Sequence, residues 1–312
     1  MDLRPLSLGE LLDRAFTLYR RHLWLFVGIM AVPSVFALVL GLIPTWLQHM
    51  ARTAVKTPEA TPTVESIVMM VGLVFAMAVV MVGYLVVYMI ALGATSFAVS
   101  ELYLGRSVTV ADVYRKMRGR VWRLMLLMLL VMIRIGGVVV AGVALMSMSA
   151  AFAIRGSPVL MIAVMALAIV ASAFLSVFMM LRYGVAVPAL VLESLTARNA
   201  IRRSIRLTQG NRFRVLLISI CATMISYAGI VLFQIPFTLA AFYAGDDTSS
   251  GFLLNMAGVV SGTIGNTFTG PIMIIGLALL YYDTRIRHEA LDLDLMIDAL
   301  DRQGPRTEPA RA

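Results

Sequence analysis

Residues 182–220 read RYGVAVPALVLESLTARNAIRRSIRLTQGNRFRVLLISI and lie between two long apolar runs. This stretch holds seven arginines, one proline and the pattern of a short amphipathic helix. Arg198, Arg202 and Arg206 recur every fourth residue, so they would share one face of that helix. Weaker copies of the same basic connector precede the first and third apolar runs. We call each of the three connectors an elbow, and the rest of the chain is arranged around them.

Six long apolar runs make up most of the sequence. Each is long enough to cross a bilayer core, which takes about 20 apolar residues in a helix. Only 14% of the 312 residues are charged and 60% are hydrophobic, whereas a soluble domain carries about 25% charged residues. We therefore predict an all-α fold, a polytopic membrane bundle of six transmembrane helices at residues 23–47, 67–98, 124–148, 159–181, 215–243 and 252–282.

The basic residues predict which way the helices cross. Among the 26 lysines and arginines, all lie on the side shared by the two termini except Arg52, Lys56, Arg134 and Arg155. Because short basic connectors stay on the cytoplasmic side, we expect both termini to be cytoplasmic. The net charge of +9 then reflects topology and attraction to anionic lipid, and we expect no nucleic-acid partner.

The elbows also predict an internal repeat. Each has a capping residue near its start and an aromatic residue near its end: Ser7 and Trp24, Thr109 and Trp122, Thr196 and Phe213. We predict one membrane domain at 1–302 made of three similar hairpins, at residues 7–106, 107–195 and 196–302. Each hairpin would have a cytoplasmic amphipathic helix, a span out, a short loop and a span back. Residues 303–312, with two prolines, are predicted to be a disordered tail.

Three stretches together carry a resemblance to a known family. They are LSLGELLDRAF (6–16) with LYRRH (18–22), PALVLE (188–193) with IRRS (201–204) and LT (207–208), and LYYDTRIR (280–287) with Glu289 and LDL (291–293). The chain resembles the bacterial family named for the membrane domain of glycerophosphoryl diester phosphodiesterases. The resemblance covers nearly the whole sequence. Many members of that family consist of the membrane part alone and have no established activity.

The resemblance does not extend to the phosphodiesterase chemistry. In the enzymes of that name, the reaction belongs to a separate soluble barrel with a His-Arg-Gly start and carboxylates that hold a metal. None of His22, His49 and His288 is followed by Arg-Gly, and the connectors are too short for a barrel of roughly 250 residues. We therefore expect no enzymatic activity, no cofactor and no metal site.

The expected function is that of a scaffold or lipid-associated component of the cell envelope, in the bacterial cytoplasmic (inner) membrane. Its expected partners are membrane lipids, especially anionic ones, and a protein partner or a homo-oligomer stays open. Two alternatives remain. One is a small transporter or channel, and the other is a membrane subunit that docks a separate phosphodiesterase.

Arg198, Arg202 and Arg206 have two interpretations. They could be positive charges on a solvated helix face that only determine topology. They could also form a contact for phospholipid headgroups, because a guanidinium group binds two phosphate oxygens at once. We treat these three arginines as a candidate lipid-headgroup contact.

Polar residues inside the apolar runs suggest a second candidate site. Arg134 lies near the middle of the third run, where an arginine costs about 2.5 to 3.5 kcal/mol. Gln234 and Asn266 could join it in an intramembrane polar site, or Arg134 could simply extend toward the surface. The many small residues at 258–271 predict either close helix packing or a broken helix along a transport path.

Reporter fusions test the predicted topology. Because the basic elbows keep both termini in the cytoplasm, reporters inserted at residues 57, 155 and 247 should all report the opposite side of the membrane. Alkaline phosphatase and green fluorescent protein fusions at each position give the readout. A cytoplasmic signal at any of the three would contradict the arrangement of six crossings.

Overall fold

A computed structural model describes residues 7–54, 64–154, 158–210, 212–245 and 249–289. Within these ranges the chain forms α-helices joined by short turns and one 3-10 turn at Arg118–Arg120, with no strand. The helices are α1 (Leu8–Arg21), α2 (Leu23–Ala54), α3 (Val64–Tyr103), α4 (Val110–Met117), α5 (Val121–Ile154), α6 (Pro158–Tyr183), α7 (Ala186–Leu192), α8 (Ala197–Thr208), α9 (Arg212–Ala244) and α10 (Ser249–Glu289).

Six stretches of helix in the described ranges are long and apolar enough to cross a membrane. Five of them contain the predicted run, and the remaining one, Val71–Tyr103, begins four residues after the predicted start of its run at residue 67. The predictions of an all-helical chain and of six helices long enough to span a membrane are therefore confirmed for the described residues. Several helices run past the predicted ends, because polar residues continue the same hydrogen-bonded backbone beyond the apolar run. α3 reaches Tyr103 and α10 reaches Glu289. This extension brings charged residues of α10 into the bundle.

Neighbouring long helices pack in pairs: α2 against α3, α5 against α6, and α9 against α10. α10 also contacts α1, α2 and α3 and lies at the centre of these contacts. Small residues bring α9 and α10 together, since a Cβ atom at Gly265 would lie 2.9 Å from the carbonyl oxygen of Gly229. Here the small residues of α10 serve close packing, which is the first of their two predicted roles.

The short helices α1, α4 and α8 lie at one end of the bundle, which we call the elbow end. Ser7 caps α1 in a reciprocal hydrogen-bond pair with Glu10, and the Thr109 side chain caps α4, both as predicted. α8 begins after Thr196, but the Thr196 side chain makes no capping hydrogen bond. The tail at 303–312 and residues 290–302 of the third predicted repeat lie outside the described residues.

Candidate functional site

The turn between α7 and α8 has an unusual backbone conformation. Ser194 has a φ of 52°, in the left-handed region that costs a residue with a Cβ atom about 1–2 kcal/mol. Arg120 donates to the Ser194 hydroxyl at 2.9 Å and also to the carbonyl of Val191. Arg123 donates to the Ser194 carbonyl at 3.2 Å. Two arginines of the second elbow therefore hold the turn of the third.

The carboxylate of Glu193, in the same turn, joins three parts of the chain. Its Oε1 accepts hydrogen bonds from Arg203 Nε at 3.1 Å and from Arg203 Nη2 at 3.0 Å. It also accepts a hydrogen bond from the hydroxyl of Tyr281, and Arg285 Nε lies 3.7 Å away. Glu193 thus links the α7–α8 turn to α8 and to the end of α10.

The end of α10 makes two further polar contacts with other helices. The Tyr282 hydroxyl lies 2.7 Å from the Ser100 hydroxyl of α3. Asp283 pairs with Arg214 of α9, with Nη1 and Oδ2 2.7 Å apart. Residues 281–285 therefore reach α3, α9 and the α7–α8 turn. We call this set of residues the elbow network: Ser100, Arg120, Arg123, Glu193, Ser194, Arg203, Arg214, Tyr281, Tyr282, Asp283 and Arg285.

Burial gives the elbow network its structural importance. The Asp283 side chain is 0% exposed, and the side chains of Glu193 and Arg203 are 19% and 22% exposed. A buried carboxylate without a cation would be strongly unfavourable, so these groups depend on one another. The charges are used to hold helices together. Among the residues that the structure describes, no group of three or more His, Cys, Asp or Glu side chains could hold a metal ion.

Hydroxyl groups attach each elbow helix to a longer helix. Tyr19 of α1 donates to the carbonyl of Phe268, and burial raises the pKa of Tyr19 above its ordinary value, which keeps this hydroxyl a donor. Tyr114 of α4 donates to the carbonyl of Ile29 at 2.7 Å. Pro33, four residues further on, has no N–H group, so the helix itself leaves that carbonyl without a donor.

In α8 the third attachment comes from Ser204, whose hydroxyl donates to the carbonyl of Arg182 at 2.7 Å. Arg182 lies in the last turn of α6, where backbone carbonyls have no partner within the helix. The three elbow helices are therefore fixed by the same kind of bond, from a side-chain hydroxyl to a backbone carbonyl.

The three arginines of the candidate lipid-headgroup contact, which we call the α8 arginine face, point away from the bundle. Arg198, Arg202 and Arg206 are all exposed. The opposite face of α8 is buried and consists of Ala197, Ala200, Ile201, Ser204, Leu207 and Thr208. Arg203 lies between the two faces and turns inward to Glu193. Sequence spacing alone placed these arginines on one helix but did not identify Arg203 as part of a buried pair.

The structure does not bring Arg134, Gln234 and Asn266 into one site. Gln234 lines a cavity of about 230 Å³ near the end of the bundle opposite the elbows. Asn266 lines a separate cavity of about 170 Å³ between α2, α3 and α10. Arg134 lines neither cavity, is exposed, and donates to the carbonyl of Leu130 in its own helix at 3.0 Å. Its geometry is that of an arginine on the outer surface of the bundle.

Comparisons of the chain with family models, curated proteins and solved structures give no match. The residues that carry the family resemblance nevertheless share a location. The segments 188–193, 201–204 and 280–287 meet in the elbow network, and α1 packs against α10. Segments far apart in sequence therefore form one polar junction.

Replacing Asp283 by Asn tests whether the elbow network stabilises the fold. The change leaves Arg214 without its carboxylate at a buried position, so we expect a loss of about 3 kcal/mol in the free energy of unfolding. Asp112→Asn is the matched control. Its pair with Arg115 is exposed, with side chains 48% and 82% accessible, and should contribute little to stability because solvent screens the two charges. Denaturation of the two purified variants in mixed detergent measures both effects, and equal losses would contradict the structural role.

Proposed function

We propose that this protein is a non-enzymatic, multi-pass component of the bacterial cytoplasmic membrane that serves as a lipid-associated scaffold. In this proposal the six spans form three similar hairpins, and α1, α4 and α8 lie at the cytoplasmic surface as amphipathic helices. One observation carries the proposal. α8 buries its small and apolar face in the bundle and presents only the α8 arginine face outward.

Exposed aromatic residues support the same placement of the bilayer. Trp24, Trp122 and Phe213 stand near the beginnings of α2, α5 and α9, and their side chains are 78%, 74% and 70% exposed. Aromatic side chains concentrate at the headgroup level of membranes. They would mark the cytoplasmic interface at the elbow end, where the α8 arginine face would meet anionic headgroups.

The elbow network supports a structural function rather than a catalytic one. Its carboxylates, Glu193 and Asp283, are each paired with an arginine. An acid or base catalyst must contact a substrate, whereas these groups bind other helices. The proposal of a scaffold therefore rests on the observation that these charged groups bind other helices.

A transporter is the alternative, and the cavities lined by Gln234 and Asn266 are the observation in its favour. The contact between Gly41 and Val259 lies between them and is tight, since a Cβ atom at Gly41 would lie 2.6 Å from Val259 Cγ1. Ser34 and Thr267 also bond across α2 and α10 at 2.6 Å. These contacts favour packing over a continuous path.

The triple variant Arg198→Gln, Arg202→Gln, Arg206→Gln tests the proposed association with lipid. Each basic side chain near an anionic surface contributes about 1 kcal/mol, so the variant should copurify with markedly less anionic phospholipid than the wild type. Quantitative lipid mass spectrometry of the purified proteins measures the difference. The matched triple Lys variant keeps the charge and should retain most of the lipid. Equal lipid content in the Gln variant and the wild type, with the fold intact, would contradict the proposal.

A further inference from the structure

A cleft of about 450 Å³ lies between the pair α5–α6 and the pair α9–α10. Its volume is within the range of about 300–1,000 Å³ typical of ligand sites. The lining is mainly apolar and includes Met180, Met224 and Met273, whose flexible side chains can adapt to an apolar guest. Met180 and Met224 are 56% and 67% exposed, so the cleft opens on the outer surface of the bundle.

Two arginines adjoin the lining residues at the elbow end of this cleft, although neither lines it. Arg182 lies in α6 among lining residues such as Leu181 and Tyr183, and Arg212 begins α9 one turn before the lining residue Leu216. Both guanidinium groups pack against the ring of Phe178, with Cζ atoms 5.6 Å and 5.0 Å from its centroid. The contact with the shared ring orients both positive charges.

These two arginines differ from their neighbours in their hydrogen bonding. The Nε atoms of Arg182 and Arg212 are buried and have no hydrogen-bond partner among the described residues. Arg203 and Arg214, which are also largely buried, each pair with a carboxylate. A buried donor without a partner is unfavourable, and no carboxylate among the described residues pairs with either arginine. The pair is therefore suited to an anion that comes from outside the chain.

An apolar cleft with two arginines at one end matches the two parts of a phospholipid. In the membrane location proposed above, the rim of the cleft faces acyl chains. Arg182 and Arg212, at the ends of their helices, lie at headgroup depth. A phosphate group at this end of the cleft can accept charge-assisted hydrogen bonds from guanidinium groups. The mainly apolar lining suits an acyl chain, because contact between apolar surfaces is favourable there.

We propose that this cleft binds one anionic phospholipid, with its phosphate between Arg182 and Arg212 and an acyl chain along the apolar lining. The inference rests on the proposed membrane location. It concerns different residues from the α8 arginine face, which would contact the headgroup layer without an apolar cleft.

Lipid retention in native mass spectrometry tests the inference. The full-length protein is placed in nanodiscs of equal parts phosphatidylglycerol and phosphatidylcholine, then released into mild detergent, and bound lipids are counted. The wild type should retain one phosphatidylglycerol in preference to phosphatidylcholine. Arg182→Gln with Arg212→Gln should lower that retention about tenfold, because two charge-assisted hydrogen bonds are lost. Equal retention of phosphatidylglycerol by this variant and the wild type would overturn the inference.

Two further variants make the result specific. Lys116→Gln with Arg118→Gln removes the same charge from exposed positions at the elbow end and should keep the retained lipid. If this control variant loses as much lipid as the double variant at Arg182 and Arg212, positive charge alone holds the lipid. That result would overturn the proposed lipid site in the cleft but would not contradict the proposed function. Ser219→Phe fills the cleft without changing a charge, since Ser219 lines it, and should also release the lipid. If the double variant at Arg182 and Arg212 fails to fold, the Ser219→Phe variant provides the test. Unchanged retention of phosphatidylglycerol by Ser219→Phe would overturn the proposed site.

Discussion

The bond between Glu193 and its partners is the interaction on which the arrangement of the elbow end depends. A single carboxylate accepts hydrogen bonds from Arg203 of α8 and from Tyr281 of α10, with Arg285 close by. Its own turn contains Ser194 in a left-handed conformation, held by Arg120 and Arg123. In lipid the hydrophobic effect does not favour one helix neighbour over another. Polar contacts such as these therefore determine which helices pack together.

The end of α10 makes similar polar contacts with the rest of the bundle. Tyr282 contacts α3 and Asp283 contacts α9, while Tyr281 and Arg285 contact the α7–α8 turn. A stretch of five residues therefore connects all three helix pairs at one end, directly or through the turn. Near the middle of α9 and α10, small residues such as Gly265 let the two helices approach closely. Specific polar bonds at one end and close packing along the helices together define the fold.

Sequence reasoning succeeded where the signal is local. An apolar run of more than 20 residues predicts a span by itself, and a Ser-x-x-Glu pattern predicts a capped helix start at Ser7. The elbow network could not be predicted in this way, because Tyr281 and Glu193 are 88 residues apart and Tyr282 and Ser100 are 182 apart. In the sequence, Arg203 could not be distinguished from the exposed arginines at 198, 202 and 206. Asp283 lies one residue beyond the predicted end of the sixth span. The cleft beside Arg182 and Arg212 depends on the same long-range packing and left no pattern in the sequence.

A double-mutant cycle between Glu193 and Tyr281 tests the central claim most directly. The free energy of unfolding would be measured in mixed detergent for the wild type, Glu193→Gln, Tyr281→Phe and the double variant. Because the two side chains share one hydrogen bond across the bundle, their effects should not add, and the coupling energy should be about 1 kcal/mol or more. Additive effects would contradict the claim that this carboxylate holds the third elbow against α10.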